Sequence, residues 1–257
     1  MRLLVSVADA TEASAALAGG ADLIDAKDPL TGALGAVPIA VLAEIQAAVC
    51  GAHPVTAAIG DAADEAAIEA MARVFAAAGS ALVKVGFAGI ASASRIARLA
   101  AAAQRGVRSG GAGDCGVILV AYADATRATN LTPAALVDLA ARAGVRGVLL
   151  DTADKRGPGL RALIAPDALA AWVARAHQRG LLVALAGKLA PDDLPFVRDS
   201  GADVAGVRGA ACEGGRTGRV SAERVRMLRS LCVEVRLQPD LTHPARCPTN
   251  RRDQLEQ

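Results

Sequence analysis

Residues 140–155 read "AARAGVRGVLLDTADK", and the order of residue types in them sets the fold. An alanine-rich, helix-forming stretch stops at Gly144, where a residue without a Cβ suits the left-handed turn that closes a helix. The short apolar run "GVLL" follows, of a length and continuity that fit a strand buried on both faces of a parallel sheet. Polar residues (Asp151, Asp154, Lys155) then open the next loop. The same cadence returns in "AALAGGADLIDAKD" (15–28), "FAAAGSALVKVG" (75–86), "HQRGLLVALAGK" (177–188) and "VRDSGADVAGVRGA" (197–210). Read along the whole chain, it predicts strands near 2–7, 21–26, 55–59, 81–85, 116–122, 147–151, 181–186 and 203–207. Helices are predicted between them, near 10–18, 38–49, 62–78, 91–104, 133–143, 166–179, 191–199 and 221–231. Pro38, Pro133, Pro166 and Pro191 sit where helices would begin, and Thr132 suits an N-cap. Eight such units within about 230 residues predict an α/β fold, a single-domain (β/α)8 TIM barrel. An open doubly wound sheet is the structural alternative; no G-x-G-x-x-G opens the first helix, which weakens it.

The barrel is expected to span 1–232, followed by a poorly ordered tail, 233–257, rich in Pro and Arg and without apolar period. The Gly-rich stretch "QRGVRSGGAGDCG" (104–116) reads as a flexible loop on the strand-entry face. The chain is 53% hydrophobic but only 2% aromatic, so its core must be built from Ala, Val, Leu and Ile, with helices packed closely through small side chains. Its alanine-rich helix faces leave room for homo-oligomer contacts. A net charge of +2, with no basic run outside the tail, makes no case for nucleic acid. No apolar segment is long enough to span a bilayer, and the N-terminus does not read as a signal peptide. Five cysteines without C-x-x-C spacing read as reduced thiols of a cytoplasmic protein, and three scattered histidines suggest no metal site.

One compositional oddity points to chemistry. The 28 basic residues comprise 24 arginines and four lysines: Lys27, Lys84, Lys155 and Lys188. Arginine serves wherever a surface cation is enough, as at Arg73, Arg95, Arg98, Arg142, Arg175 and Arg179 on predicted helix faces. The lysines instead fall in the second and fourth strands and after the sixth and seventh, at the end of a barrel where active sites form. A lysine differs from an arginine in that it can lose its proton. Clustered amines lower one another's pKa, which makes one of them a nucleophile toward a carbonyl and another a proton carrier. Asp25 lies two residues from Lys27 on one strand and so faces the same side, placed to bond its ammonium; Asp151 ends the sixth strand. The loops "AGKL" (186–189) and "GVRGAACEGGRTG" (206–218) follow strands seven and eight, where barrels bind phosphate. Gly187, Gly206, Gly209, Gly214 and Gly215 would permit close backbone approach there, and Arg208 would add a bidentate clamp. The residues alone thus describe an aldolase-like barrel for a phosphorylated carbonyl compound.

The stretch "LLVSVADATEASAALAGGADLIDAKDPLTGALGA" (3–36), with "LVKVG", "LLDTADK" and "GVRGAAC", resembles the (5-formylfuran-3-yl)methyl phosphate synthase family, also called 4-(hydroxymethyl)-2-furancarboxaldehyde-phosphate synthase. The likeness covers about residues 1–232, and its opening motif, D-x-K-[DN]-P-x-x-G-x-L-G, is long. The resemblance implies a carbon–oxygen lyase that joins two molecules of glyceraldehyde 3-phosphate into the furan precursor of methanofuran, a one-carbon carrier, without metal or organic cofactor. It implies that Lys27 is the Schiff-base lysine and Lys84 the proton acceptor, with Asp25, Asp151 and Lys155 as polar positions of the site. The Gly-rich 106–115 segment and the tail match no motif of the family. Two other readings stand beside it. Another Schiff-base aldolase would carry its imine lysine on a later strand. A phosphate-binding barrel isomerase would use Asp25 or Asp151 as base and Lys27 as a phosphate ligand.

Overall fold

The computed structural model describes residues 1–111, 115–125 and 131–233; the predicted tail, apart from Val233, lies outside them. The apolar runs form eight parallel strands: β1 (Arg2–Val7), β2 (Leu23–Ala26), β3 (Val55–Asp61), β4 (Leu82–Gly86), β5 (Gly116–Tyr122), β6 (Gly147–Asp151), β7 (Leu182–Leu185) and β8 (Val204–Val207). Each pairs with the next in chain order, and β8 closes onto β1 with Leu3 opposite Ala205. The expected (β/α)8 barrel is what forms.

Alternation along each strand sorts its side chains into two cores. Val5, Ile24, Val83, Leu150 and Val183 face outward and pack against the helices. Leu4, Ala58, Ile118, Leu149, Ala184 and Val204 fill the barrel. Toward the C-terminal strand ends the inward positions change from apolar to polar. Leu4 gives way to Ser6, Leu23 to Asp25, Leu82 to Lys84 and Leu149 to Asp151, and the four polar residues are all buried. Strand parity therefore aims these groups at one place.

The covering helices are α1 (Ala10–Ala18), α2 (Ile39–Val49), α3 (Glu65–Ala77), α4 (Ala93–Ser109), α5 (Pro133–Ala143), α6 (Leu160–Leu163), α7 (Pro166–His177), α8 (Leu194–Asp199) and α9 (Ala222–Cys232). Thr132 caps α5 by accepting the Ala135 N–H at 3.3 Å, and Gly144 ends it at φ +66°. Pro133 and Pro166 each open a helix, Pro191 opens a 3-10 turn, and Pro38 caps α2 from just outside. α6 lies in the loop after β6 and is too short to show a helical period in sequence. The loop after β8 holds a 3-10 turn (Gly209–Ala211) and a two-stranded hairpin, β9 (Cys212–Glu213) with β10 (Arg219–Val220). No described helix is long and apolar enough to cross a membrane.

The Gly-rich 104–116 stretch needs correction. Residues up to Ser109 belong to α4, and residues 112–114 lie outside those described. Gly106 is a packing residue: a Cβ there would lie 2.3 Å from the Glu69 carbonyl oxygen and 2.8 Å from Ala72 Cβ on α3. Gly106→Ala gains helix propensity of about 1 kcal/mol but forces two helix backbones apart. We expect net destabilisation of about 1–2 kcal/mol, read as a lower urea midpoint with unchanged slope.

Candidate active site

The polar strand ends and the loops beyond them enclose a cavity of about 360 Å³ at the C-terminal mouth of the barrel, and all four lysines line it. The six arginines predicted on helix faces are all exposed. These six arginines and the four lysines are thus separated in space, although Arg208 and Arg216 join the lysines in the cavity wall.

Lys27 stands one residue past β2, its N–H still donating to Val7 O at 3.0 Å. It is only 8% exposed, and among the described residues its Nζ has no hydrogen bond or ion pair. Burial is the main reason its pKa falls to about 8; Asp151 and Asp25 raise it, while Lys84 and Lys155 push it further down. At pH 7 roughly a tenth of such an amine is neutral, against well under a thousandth for an ordinary lysine.

Asp25 does face the Lys27 side, but its bonds go elsewhere. Its Oδ2 accepts from Ser6 Oγ at 2.8 Å, and its Oδ1 accepts from Thr56 Oγ1 at 2.8 Å and pairs with Lys84 Nζ. Residues two apart on a strand are separated by about 6–7 Å, too far for a direct bond without bending. The long side chain of Lys84 reaches over β3 to it instead. Asp25 is fully buried, and these three donors serve both its oxygens.

On β6, Asp151 Oδ1 accepts from the Thr152 N–H and from Lys155 Nζ, both at 2.7 Å, and Lys155 Nζ also donates to Thr152 O at 2.6 Å. Lys188 is exposed, with φ +55°, and its Nζ donates to Gly157 O. Gly187 beside it has φ +108°, and a Cβ would come within 3.0 Å of Thr152 Cγ2. Glycine is needed there for conformation and for space. Gly206 and Gly209 also line the cavity, whereas Gly214 and Gly215 turn the β9–β10 hairpin and do not.

Arg208 departs most from expectation. It lines the cavity, but its guanidinium donates to both carboxylate oxygens of Glu12, to Ser6 O and Arg216 O at 3.0 Å each, and to Gly218 O at 3.1 Å. An arginine has five N–H donors, so none is left over for a phosphate in this arrangement. Arg208 instead joins β1 and α1 to the loop after β8.

Sequence reasoning did not single out Ser6, Thr56, Glu12 or Arg216. Ser6 and Thr56 carry a legible signal, since they share the inward parity of their strands. Glu12 does not, because its partner lies 196 residues away. Arg216 hides among many arginines; it is half-buried, lines the cavity, and donates to Pro29 O and, at 2.6 Å, to Gly32 O. Burial is the largest influence on its pKa and lowers it.

The six cations of the cavity wall thus fall into two sets. Lys84, Lys155 and Arg208 are ion-paired with Asp25, Asp151 and Glu12. Lys27, Lys188 and Arg216 have no carboxylate partner among the described residues. No cluster of His, Cys, Asp or Glu among those residues could hold a metal ion.

Fold and site together define a barrel enzyme with a buried amine of lowered pKa and, among the described residues, cations without carboxylate partners in one pocket. A family model described as 4-HFC-P synthase matches residues 3–229. The chain is 40% identical over 231 residues to the (5-formylfuran-3-yl)methyl phosphate synthase of Methanopyrus kandleri, covering 90% of this chain and 97% of that one. It is 37% identical over 235 residues to the synthase of the same name from Methanocaldococcus jannaschii, covering 90% and 100%. The chain belongs to the 4-HFC-P synthase family. Solved structures of the same fold include 3-hexulose-6-phosphate synthase (TM-score 0.58, 23% identity, covering 91% of this chain and 100% of that one). Phosphoribosyl anthranilate isomerase from Thermus thermophilus is another (TM-score 0.61, 17% identity, covering 90% and 98%). At these identities the likeness concerns the fold alone.

Proposed function

We propose that the protein is a cytoplasmic lyase that condenses two molecules of glyceraldehyde 3-phosphate into (5-formylfuran-3-yl)methyl phosphate, for a methanofuran-type cofactor, with Lys27 as the imine-forming nucleophile and no metal or organic cofactor. The observation that carries this reading is Lys27: a buried amine with a pKa of about 8 and no partner among the described residues, facing a cavity whose wall carries further cations. Family membership and the names of the relatives point the same way.

Neutral Lys27 adds to the aldehyde of one triose phosphate, and loss of water leaves an imine. The imine draws electrons from the adjacent carbon, whose proton departs to give an enamine. Lys84 is the proton acceptor in this reading. In its neutral form its amine takes the proton, and the Asp25 carboxylate paired with it stabilises the ammonium that results. The enamine isomerises to the ketone level and attacks the second aldehyde. Ring closure and aromatisation then release one phosphate and two waters, balancing two three-carbon units against a six-carbon furan phosphate. Lys155, Lys188 and the N–H groups around Gly187 and Gly209 lie where anionic substrate groups would be held.

The isomerase alternative is disfavoured by the carboxylates. Both oxygens of Asp25 already accept bonds and Asp151 is ion-paired with Lys155, so each carboxylate is held by a cation instead of standing as an unpaired base.

The direct test is incubation with glyceraldehyde 3-phosphate, followed by the ultraviolet absorption of a furan aldehyde; no absorbing product would end this reading. The pH dependence provides a second test. Only the neutral amine attacks, so imine formation should rise about tenfold per pH unit below about 8 and level off above it. Borohydride trapping rates measured across that range check the expectation. A profile flat through pH 7 to 8 would remove Lys27 from the role.

A further inference from the structure

We propose that Arg216 holds a phosphate group of the substrate, giving the cavity a second anion position on its β8 side, apart from the loop after β7 that carries Gly187 and Lys188. The proposal rests on the function reading above and deepens it: a reaction between two phosphorylated aldehydes needs two phosphates held in one cavity.

Three observations converge on this residue. Arg216 is a half-buried cation with no carboxylate partner among the described residues; Asp151 and Asp28 act on it only through space, and burial opposes its charge. A guanidinium kept in such a place lacks the compensation that Arg208 receives from Glu12, and an anionic ligand would supply it. Its hydrogen bonding is also incomplete. Of the five N–H groups of an arginine, two donate to the neutral carbonyls of Pro29 and Gly32. The remainder have no acceptor among the described residues, although the side chain lines the cavity. Phosphate oxygens suit this fork geometry, and such charge-assisted bonds are short and strong.

The third observation is positional. Arg208 Nε donates to the Arg216 carbonyl at 3.0 Å, so the scaffold arginine fixes the backbone of the free one. The hairpin carrying Arg216 is tight: a Cβ on Gly218 would lie 1.7 Å from Glu213 O. On its other side Arg216 grips the loop directly after Lys27, which is itself closed by the Asp28 N–H donating to Gly35 O at 2.9 Å. A phosphate on Arg216 would therefore sit on the same rim as the imine carbon.

The test compares two aldehydes and one anion on wild type, Arg216→Gln and Arg216→Lys. Borohydride trapping at Lys27 is titrated with glyceraldehyde 3-phosphate and with glyceraldehyde, and inorganic phosphate binding is followed by calorimetry. In wild type the phosphorylated aldehyde should be strongly preferred, and two phosphates should bind. Arg216→Gln should lower that preference by about 10- to 100-fold and reduce phosphate stoichiometry from two to one. Arg216→Lys, which keeps the charge and loses the fork, should fall between and carries the test if the Gln variant does not fold. An equal loss for both aldehydes, or an unaltered preference with two phosphates still bound, would overturn the role of Arg216. If wild type forms no adduct with either aldehyde, the imine reading fails by itself. The phosphate stoichiometry then still decides for or against Arg216.

Discussion

Lys27→Arg should form no borohydride-stable adduct with glyceraldehyde 3-phosphate and should lower furan formation by on the order of 10³-fold or more. The substitution keeps a cation at the head of β2 but removes an amine that can lose its proton. If Lys27 serves only to hold phosphate, arginine is an adequate or better replacement, and activity should persist with a changed KM. If it forms the imine, kcat collapses whatever the binding does. Mass spectrometry of the trapped wild type locates the adduct, and an adduct on Lys84 alone would reassign the roles. Lys84 is the right control because it lies in the same cavity and is bound to Asp25, so its amine is already engaged. A melting curve of the Lys27 variant separates lost chemistry from lost folding.

Arg208→Met should produce the second large effect, on stability. It removes one member of a buried ion pair and strands Glu12, which is 3% exposed, together with the carbonyls of Ser6, Arg216 and Gly218. Leaving one buried charge unpaired typically costs about 3–5 kcal/mol, or roughly 10 °C in Tm for a chain of this size. Glu12 keeps one donor, the Ala8 N–H at 2.8 Å, far short of what a buried carboxylate needs. Combining Arg208→Met with Glu12→Gln should recover part of the loss, so that the double variant is destabilised by less than the sum of the two by about 1–3 kcal/mol. A phosphate clamp would behave differently. Arg208→Met would then raise KM with little change in Tm, and Glu12→Gln would be silent. That outcome would restore the clamp and undo the assignment of Arg208 to the scaffold.

The barrel could be read from the sequence because its signals are short-range. Thr132 and Gly144 mark the two ends of α5 through contacts with residues at most a few positions away, and the apolar run that follows Gly144 has few alternatives to a buried strand. The lysines were legible for a different reason: a chain that writes most of its cations as arginine makes each lysine conspicuous. Their side of the barrel followed from strand parity, which carries Leu23, Asp25 and Lys27 to one face. Gly106 was misread because glycine looks the same in sequence whether it breaks a helix or lets two helices touch; only the Glu69 carbonyl 2.3 Å from its missing Cβ distinguishes them.

The sequence by itself thus determined the barrel, the rim on which the lysines fall, and which strand residues point inward, since these depend on local periodicity and on the direction of Cβ bonds. The tertiary structure alone decided which charge meets which. Asp25 pairs with Lys84 and not with Lys27, Arg208 belongs to Glu12, and Arg216 is left without a carboxylate among the described residues. Closure of the sheet brings together groups up to some two hundred residues apart, and over a few ångströms of low-dielectric interior the distance between two charges outweighs anything their spacing along the chain can convey.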